Sequence, residues 1–302
     1  MGASVSQIIC LMGPTASGKT QLAIDLVQQF PLDIISVDSA MVYRGMDIGT
    51  AKPTSDILRL APHRLLDICD PRERYSVAQF CEDAWREIHD ILAHGKIPLL
   101  VGGTMLYFHA LQQGLAELPS ADVSVRESLL HEGSTLGWPH LHERLVKIDP
   151  VAAKRIHPHD MQRIQRALEV YELTGKNMTE SQEQHQVFST NHHFINLAIM
   201  PDDRALLHQA IAERFDDMLK KGFIDEVKKL YDRGDLSLEL PSMRSVGYRQ
   251  VWQYLEGTFT FDEMREKSII ATRQLAKRQL TWLRSWENAI YFSSDVELKN
   301  YF

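Results

Sequence analysis

The sequence has few cysteines and no long apolar run. Its 302 residues include three cysteines, Cys10, Cys69 and Cys81, whose spacing fits neither a disulfide framework nor a zinc site, so we expect reduced thiols. No segment approaches the roughly 20 apolar residues that cross a bilayer, and no basic leader with an apolar block begins the chain. These features predict a cytoplasmic protein that does not contact a membrane.

Positive charge is also scarce, with 33 Lys and Arg against 40 Asp and Glu and a formal net charge of −7. This balance argues against coating nucleic acid by bulk electrostatics, although it does not exclude a local basic surface. The 13 histidines form no His-Glu-x-x-His motif, and the pairs His157/His159 and His192/His193 lie in loop-like sequence. We interpret these histidines as solvated loop residues and not as metal ligands.

A glycine-rich segment has the spacing of a phosphate-binding loop. It follows an apolar run at residues 8–12 and precedes a helical pattern at 21–27. A strand, a glycine-rich turn and a helix N-terminus together direct several backbone N–H groups at one anion. We predict that the lysine contacts terminal phosphate oxygens and that the following hydroxyl holds Mg²⁺. The loop consists of Gly13, Pro14, Thr15, Ala16, Ser17, Gly18, Lys19 and Thr20.

The first 110 residues alternate between strand and helix patterns. This alternation is typical of an α/β fold in which helices flank a parallel sheet and ligands bind at the carboxyl ends of the strands. We predict strands at residues 7–12, 33–37 and 97–101, and helices at 19–30, 78–93 and from 104 onward.

Each of these three strands ends in residues suited to ligand binding. The phosphate loop follows the first, Asp38 and Ser39 follow the second, and Gly102-Gly103-Thr104 follows the third. By pattern alone, Asp38 is a magnesium outer-shell ligand, a general base or the N-cap of a following turn. The Gly-Gly-Thr ending replaces the metal-positioning Asp of an ordinary nucleotide hydrolase, and it allows a bulky ligand to approach the backbone.

Residues 118–192 lack strand patterns and consist of short helical patterns separated by Pro and Gly. Asp160 and Gly175 are the predicted N-cap and C-terminal stop of one helix in this segment. A strand at 194–200 and a helical run at 203–286 follow, in which Arg214 borders an apolar stripe and fits an ion pair or a cleft equally well. We predict a core built from residues 1–117 and 193–302, interrupted by a helical insertion domain at 118–192.

Longer motifs carry a family resemblance that covers nearly the whole chain. Beside the phosphate loop stand Asp-Ser-Ala-x-x-Tyr-Arg-Gly-x-Asp-Ile-Gly-Thr-Ala-Lys-Pro at 38–53 and Val-Gly-Gly-Thr-x-Leu-Tyr at 101–107. Gln-Arg-Ile-Gln-Arg-Ala-Leu-Glu at 162–169 and Arg-Ser-Val-Gly-Tyr-Arg-Gln at 244–250 complete the set. Together they resemble the bacterial tRNA dimethylallyltransferases, the IPP transferase family. The motifs at 38–53 and 244–250 are specific to that family and its close relatives.

The resemblance implies a P-loop NTPase-like core and the transfer of a dimethylallyl group from its diphosphate to N6 of adenosine 37 in tRNA. It implies Asp38 as general base, Thr20 as a Mg²⁺ contact and Arg214 as a diphosphate ligand inside the cleft. The expected partners are dimethylallyl diphosphate and the tRNA anticodon stem-loop, and the expected state is a monomer. Although the loop motif is typical of ATP binding, we expect the prenyl diphosphate to occupy it.

Four basic residues near the C-terminal end of the helical run either add local positive charge or form a solvated helix face; they are Arg273, Lys277, Arg278 and Arg284. The resemblance also implies tRNA-binding residues in three regions. The implied tRNA contacts are Asp38, Ser39, Ala40, Met41 and Thr104 at the strand ends, Arg126, Gln162, Arg163, Ile164, Gln165 and Arg166 in the insertion, and Arg244, Ser245, Val246, Gly247, Tyr248 and Arg249 in the C-terminal half.

Three alternatives explain part of the sequence. A small-molecule kinase would use the phosphate loop for ATP and Asp38 to activate a hydroxyl, but it gives no role to the Gly-Gly-Thr turn, the insertion or residues 244–249. A prenyltransferase acting on free adenine nucleotides has no use for two separated basic segments. A non-catalytic tRNA-binding or nucleotide-switch protein would retain its function after Asp38→Ala, whereas an enzyme would lose turnover.

Overall fold

A six-stranded parallel sheet organises the larger of two compact units. The computed structural model describes residues 6–116, 118–183, 192–299 and 301. Its strands are β1 (Ser6–Met12), β2 (Leu32–Val37), β3 (His63–Arg64), β4 (Ile97–Gly102), β5 (His192–Ile199) and β6 (Ala289–Phe292). They lie in the order β3-β2-β4-β1-β5-β6, and each neighbouring pair is parallel.

The helices divide between the two units. The sheet unit spans Met1–Gln112 and Thr190–Phe302, and the second unit spans Gln113–Ser189. In chain order before the second unit lie α1 (Lys19–Gln29), α2 (Ser55–Leu60), α3 (Val77–Ala93) and α4 (Met105–Gln113). The second unit contains α5 (Val123–Leu136), α6 (Trp138–Ile148), α7 (Pro150–Arg155), α8 (Met161–Thr174) and α9 (Met178–Glu183). The sheet unit resumes with α10 (Arg204–Lys220), α11 (Phe223–Tyr231), α12 (Tyr248–Leu255), α13 (Phe261–Arg284) and α14 (Asp295–Lys299).

Alternating side chains of the sheet build two apolar cores, because successive residues of a strand point to opposite faces. On one face, Cys10 and Met12 join a core that includes Phe80 of α3. On the other, Ile9 and Leu11 join a core that includes residues of α1. The near-continuous apolar composition of β1 follows from this two-sided burial.

The predicted α/β fold with a parallel sheet is confirmed; β1, β2 and β4 lie within one residue of their predicted bounds, and β5 begins two residues earlier than predicted. Two edge strands were not predicted, since β3 and β6 have only two and four residues. Asp160 caps α8 by accepting a hydrogen bond from the Arg163 N–H at 3.2 Å, and Gly175 ends it in the left-handed conformation, as expected. All three cysteines are free.

The interpretation of His192 as a solvated loop residue was wrong. His192 begins β5, and its ring centroid lies 5.4 Å from that of Trp85 and 5.9 Å from that of His89. Burial, together with the nearby His89, lowers the pKa of His192. Within the described parts of the chain, no helix has the length and apolar character needed to span a membrane.

A carboxylate with no solvent exposure stabilises the second unit. Glu169 of α8 accepts hydrogen bonds from Arg126 Nε at 2.8 Å, Arg166 Nη1 at 2.8 Å and the Asp122 N–H at 3.0 Å. Burial alone would raise the pKa of Glu169, but these hydrogen bonds outweigh that effect and lower it. Its contribution to stability is therefore present above the ordinary Glu pKa of about 4.3 and is lost as the pH falls below it.

Glu169→Ala should reduce the free energy of unfolding by about 2 to 3 kcal/mol, because it leaves two half-buried arginines without their partner. Glu172→Ala is the matched control, since Glu172 also lies on α8 but pairs with Arg144 of α6, which keeps Glu132 as a second partner. Its cost should stay under about 1 kcal/mol. Urea denaturation measures both values, and hydrogen exchange in α5 and α8 locates the loss. Equal costs for the two variants would contradict the role given to Glu169.

Candidate active site

Three neighbouring strands bring the predicted site residues to one edge of the sheet. In the register of the sheet, Gly102 of β4 lies opposite both Met12 of β1 and Val37 of β2. The phosphate loop, Asp38 and the Gly-Gly-Thr turn therefore begin side by side. All three segments line one cavity of about 1190 Å³, which is large enough for a small diphosphate together with a nucleobase.

The phosphate loop is closed by its own side chains. Ser17 Oγ donates to the Pro14 carbonyl at 2.9 Å, and Lys19 Nζ lies 2.5 Å from the same carbonyl and 3.3 Å from Ser17 Oγ. Gly18 has φ = 84°, a left-handed conformation that favours glycine, and α1 begins at the next residue. The loop thus presents the N-terminus of α1 to the cavity, where a helix favours an anion.

Two half-buried basic side chains, Lys19 of the loop and Arg214 of α10, have little compensating charge nearby. Burial, reinforced by the nearby Arg214 and opposed by Asp38, lowers the pKa of Lys19 to about 7. Burial also lowers the pKa of Arg214, again partly opposed by Asp38. Arg214 lines the cavity and forms no ion pair with a described residue. A bound polyanion would offset the repulsion between these two groups and favour the charged form of Lys19.

Asp38 caps the turn that follows β2, which was one of three interpretations of its sequence position. Its Oδ1 accepts hydrogen bonds from the Ala40 N–H at 2.8 Å and the Met41 N–H at 3.1 Å. Thr104 Oγ1 accepts from the Ser39 N–H at 3.1 Å, so the two turns hold each other. Oδ2 of Asp38 has no hydrogen-bond donor among the described residues. One carboxylate oxygen is therefore committed to the turn, and the other is available for chemistry.

A second carboxylate holds the long motif at residues 38–53. Glu226 of α11 accepts hydrogen bonds from the consecutive N–H groups of Asp47, Ile48 and Gly49 at 3.0, 2.7 and 3.1 Å. It also accepts from the Tyr248 hydroxyl at 2.6 Å. Burial and the Glu226 carboxylate raise the pKa of Tyr248. This carboxylate therefore connects the 38–53 motif to the 244–250 motif.

Lys52 fixes the same motif from within. Its side chain is only 3% exposed, and Nζ contacts the Tyr43 carbonyl at 3.0 Å, Asp47 Oδ1 at 2.5 Å and Asp67 Oδ1 at 2.6 Å. Gly49 is required for space, because a Cβ there would lie 2.1 Å from the Phe223 ring. Lys52 and Gly49 of the family-specific motif therefore have a structural role in the wall of the cavity.

The predicted tRNA-binding residues of the second unit differ in their availability. Gln162 and Arg163 are exposed, whereas Ile164 is fully buried in the apolar core of that unit. Gln165 donates to the Arg126 carbonyl at 3.0 Å. As described above, Arg126 and Arg166 pair with Glu169, which leaves about a third of each side chain exposed.

The segment at residues 244–249 borders the cavity of the sheet unit. Arg244 is exposed and donates to Glu239 Oε2 at 2.5 Å, and Arg249 is exposed at the start of α12. Ser245 and Val246 are half-buried, while Gly247 and Tyr248 are buried. The charged residues at the two ends of this segment are therefore the ones that remain accessible to a ligand.

Sequence reasoning missed Glu226 and Gln279. Gln279 of α13 lies against both the phosphate loop and the Gly-Gly-Thr turn, although it is distant from both in sequence. The only local signal for Glu226 is its place in the first turn of α11, where acidic residues are common. Neither residue lies in a motif that the sequence analysis used.

A glycine-rich loop between β1 and α1, with a lysine and an arginine beside it, defines a P-loop-type phosphate-binding enzyme with a parallel α/β core. The IPP transferase family model matches residues 41–286. The chain is also 57% identical, over 95% of its length and 93% of the relative, to a tRNA dimethylallyltransferase of Coxiella burnetii. The chain therefore belongs to the IPP transferase family, and the predicted enzyme class, tRNA dimethylallyltransferase, is confirmed.

Solved structures agree with this assignment. A tRNA isopentenylpyrophosphate transferase from Bacillus halodurans aligns with a TM-score of 0.71 and 36% identity, covering 99% of this chain and 95% of that one. A eukaryotic dimethylallyltransferase acting on tRNA aligns with a TM-score of 0.79 and 28% identity, covering 96% of this chain and 75% of the other. The kinase and the non-catalytic alternatives are therefore set aside.

Diphosphate binding should be coupled to proton uptake by Lys19. At pH 8 a lysine with a pKa of about 7 is mostly neutral, and a bound anion restores its charge, so binding should take up about one proton. Calorimetric titration with inorganic diphosphate in buffers of different ionisation enthalpy measures this number. Lys19→Arg is the control, because a guanidinium stays charged throughout. Equal proton uptake by the two proteins would contradict the prediction.

Proposed function

We propose that this enzyme transfers the dimethylallyl group of dimethylallyl diphosphate to N6 of adenosine 37, beside the tRNA anticodon, and releases diphosphate. The observation that carries the proposal is one cavity lined by the phosphate loop with Lys19, by Arg214 and by the Asp38 carboxylate. The cations suit the departing diphosphate. The carboxylate suits the attacking amine.

The phosphate loop and its two cations assist the leaving group. As the bond between the allylic carbon and the diphosphate oxygen breaks, its electron pair stays on the diphosphate and positive charge develops on the carbon. Preorganised N–H donors and cations that bind the departing oxygens more tightly in the transition state lower this barrier. Lys19, Arg214 and the N-terminus of α1 supply that stabilisation.

Asp38 acts on the acceptor. The N6 amine of adenine is a poor nucleophile because its lone pair is delocalised into the ring, so loss of its proton must accompany formation of the new C–N bond. Asp38 Oδ2 accepts this proton, while Oδ1 stays bound to the Ala40 and Met41 N–H groups. The turn thereby holds the base in a single orientation.

Magnesium fits the residues at the start of α1. Thr20 is its second residue, is exposed and lines the cavity together with Asp38. Among the described residues no cluster of three or more His, Cys, Asp or Glu could hold a metal ion. A Mg²⁺ held by the Thr20 hydroxyl and substrate phosphate oxygens needs no such cluster. When bound, the ion would neutralise charge on the diphosphate.

The acceptor adenosine reaches the cavity from an unpaired loop, where extrusion of a base costs little. Ser39, Ala40, Met41 and Thr104 line the cavity beside Asp38 and are proposed to contact the adenosine and its neighbours. Arg244 and Arg249 are proposed to bind backbone phosphates, as are Gln162 and Arg163 in the second unit.

The proposal is tested by incubating the protein with Mg²⁺, dimethylallyl diphosphate and unmodified tRNA carrying adenosines at positions 36 to 38. Mass analysis of the digested nucleosides should show one added dimethylallyl unit on adenosine 37. No gain, or a gain at a different adenosine, would contradict the proposed reaction.

Asp38→Asn should lower kcat by a factor of about 10² to 10⁴, because the amide keeps the turn hydrogen bonds but cannot take a proton. Its affinity for tRNA, measured by filter binding, should remain within about threefold of the original. Asp56→Asn is the control, since Asp56 is an exposed carboxylate of α2. Wild-type kcat in Asp38→Asn would exclude Asp38 as the base.

Thr20→Val should raise the Mg²⁺ concentration required for half-maximal activity by about tenfold, because it removes the hydroxyl and keeps the shape of the side chain. Thr20→Ser retains the hydroxyl and should behave as the unmodified enzyme. Magnesium titrations of the initial rate distinguish the two. The same requirement in both variants would remove Thr20 from the metal site.

A further inference from the structure

The side chain of Gln279 joins two walls of the catalytic cavity. Its Oε1 accepts a hydrogen bond from the Thr15 N–H of the phosphate loop at 2.9 Å. Its Nε2 donates to the Gly103 carbonyl of the Gly-Gly-Thr turn at 2.9 Å. The residue is only 8% exposed, so water does not substitute easily for either contact.

The space around this amide is tightly filled. A Cβ on Gly103 would lie 2.3 Å from Gln279 Nε2 and 3.4 Å from the Gly13 carbonyl oxygen. Gly103 does not have the positive φ that favours glycine, so a methyl group here would act by displacing the amide of Gln279. The phosphate loop, the Gly-Gly-Thr turn and α13 are thus in direct contact around Gln279.

The contacts continue on both sides of the amide. Thr15 belongs to the loop proposed to hold the diphosphate. Gly103 precedes Thr104, whose Oγ1 accepts the Ser39 N–H at 3.1 Å next to Asp38. Through Gln279, α13 therefore forms hydrogen bonds to both the leaving-group side and the acceptor side of the cavity.

We propose that Gln279 is a positioning residue that fixes the distance between the diphosphate cradle and the Asp38 turn. This inference rests on the proposed function. Transfer requires the reacting atoms to approach to about 3 to 3.5 Å, and a misplacement of about 1 Å costs about a hundredfold in rate. A neutral amide suits this task because it accepts from one backbone and donates to the other, which neither Met nor Glu does.

The first experiment compares Gln279→Met and Gln279→Glu with the unmodified enzyme. Met keeps the length of the side chain and loses both hydrogen bonds, whereas an ionised Glu keeps the acceptor, loses the donor and places a negative charge beside the Gly103 carbonyl. We expect the single-turnover rate at saturating tRNA and dimethylallyl diphosphate to fall about a hundredfold in Gln279→Met and at least about tenfold in Gln279→Glu. In Gln279→Met the KM values for both substrates should change by less than about threefold.

Gln28→Met is the matched control, since Gln28 is an exposed glutamine in α1 and should give the wild-type rate. Thermal unfolding and calorimetric binding of inorganic diphosphate confirm that each variant is folded with an intact cradle. An unchanged rate in Gln279→Met would overturn the proposal, as would a loss explained entirely by raised KM values. Absence of product with the unmodified enzyme would instead contradict the proposed function.

A second experiment tests the contact itself. Gly103→Ala should lower the unfolding temperature, because its methyl group meets the Gln279 amide. Adding Gln279→Ala removes the obstructing amide and should recover part of that temperature, while the single-turnover rate stays about a hundredfold low. Strictly additive losses of stability, or recovery of the rate along with stability, would show that Gln279 does not position the two walls.

Discussion

The close approach of β2 and β4 at their carboxyl ends sets the geometry of the cavity. A Cβ on Gly102 would lie 2.0 Å from the Val37 carbonyl oxygen, so any side chain there would push the two strands apart. The next residue after Val37 is Asp38, and the next after Gly102 is Gly103. The separation of Asp38 from the Gly-Gly-Thr turn therefore depends on the absence of a side chain at Gly102, and on the strand pairing that brings the two backbones together.

Electrostatics at this edge differ from those of the rest of the protein. In the second unit, Arg126 and Arg166 share the carboxylate of Glu169. Lys19 and Arg214 share only the influence of Asp38, and burial lowers the pKa of both. A chain with a net charge of −7 thus keeps two basic side chains that have no ion-pair partner among the described residues. Such a pair attracts a polyanion while the acidic remainder disfavours unspecific contacts with nucleic acid.

The sequence predicted local features well and distant contacts poorly. The central strands, the phosphate loop and the caps of α8 follow from periodicity and from glycine and cap residues, which act within a few positions of each other. Glu226 and Gln279 bind backbone groups more than 170 residues away, so no local pattern announces them. Arg126, predicted as a tRNA contact, also serves as an ion-pair partner of Glu169, which lies 43 residues away in the sequence.

Glu226 accepts hydrogen bonds from three successive backbone amides, and these bonds limit how the segment at residues 38–53 can be exchanged within the family. The segment at residues 38–53 is not a self-contained cassette, because its shape is dictated by a carboxylate on α11 and a hydroxyl on α12. A chimera that exchanges this segment between relatives would carry the segment sequence of one relative, while Glu226 and Tyr248 would come from the other. Glu226 and Tyr248 would have to be exchanged together with the segment. Residues 38–53 and these two positions therefore depend on one another, although they are distant in sequence.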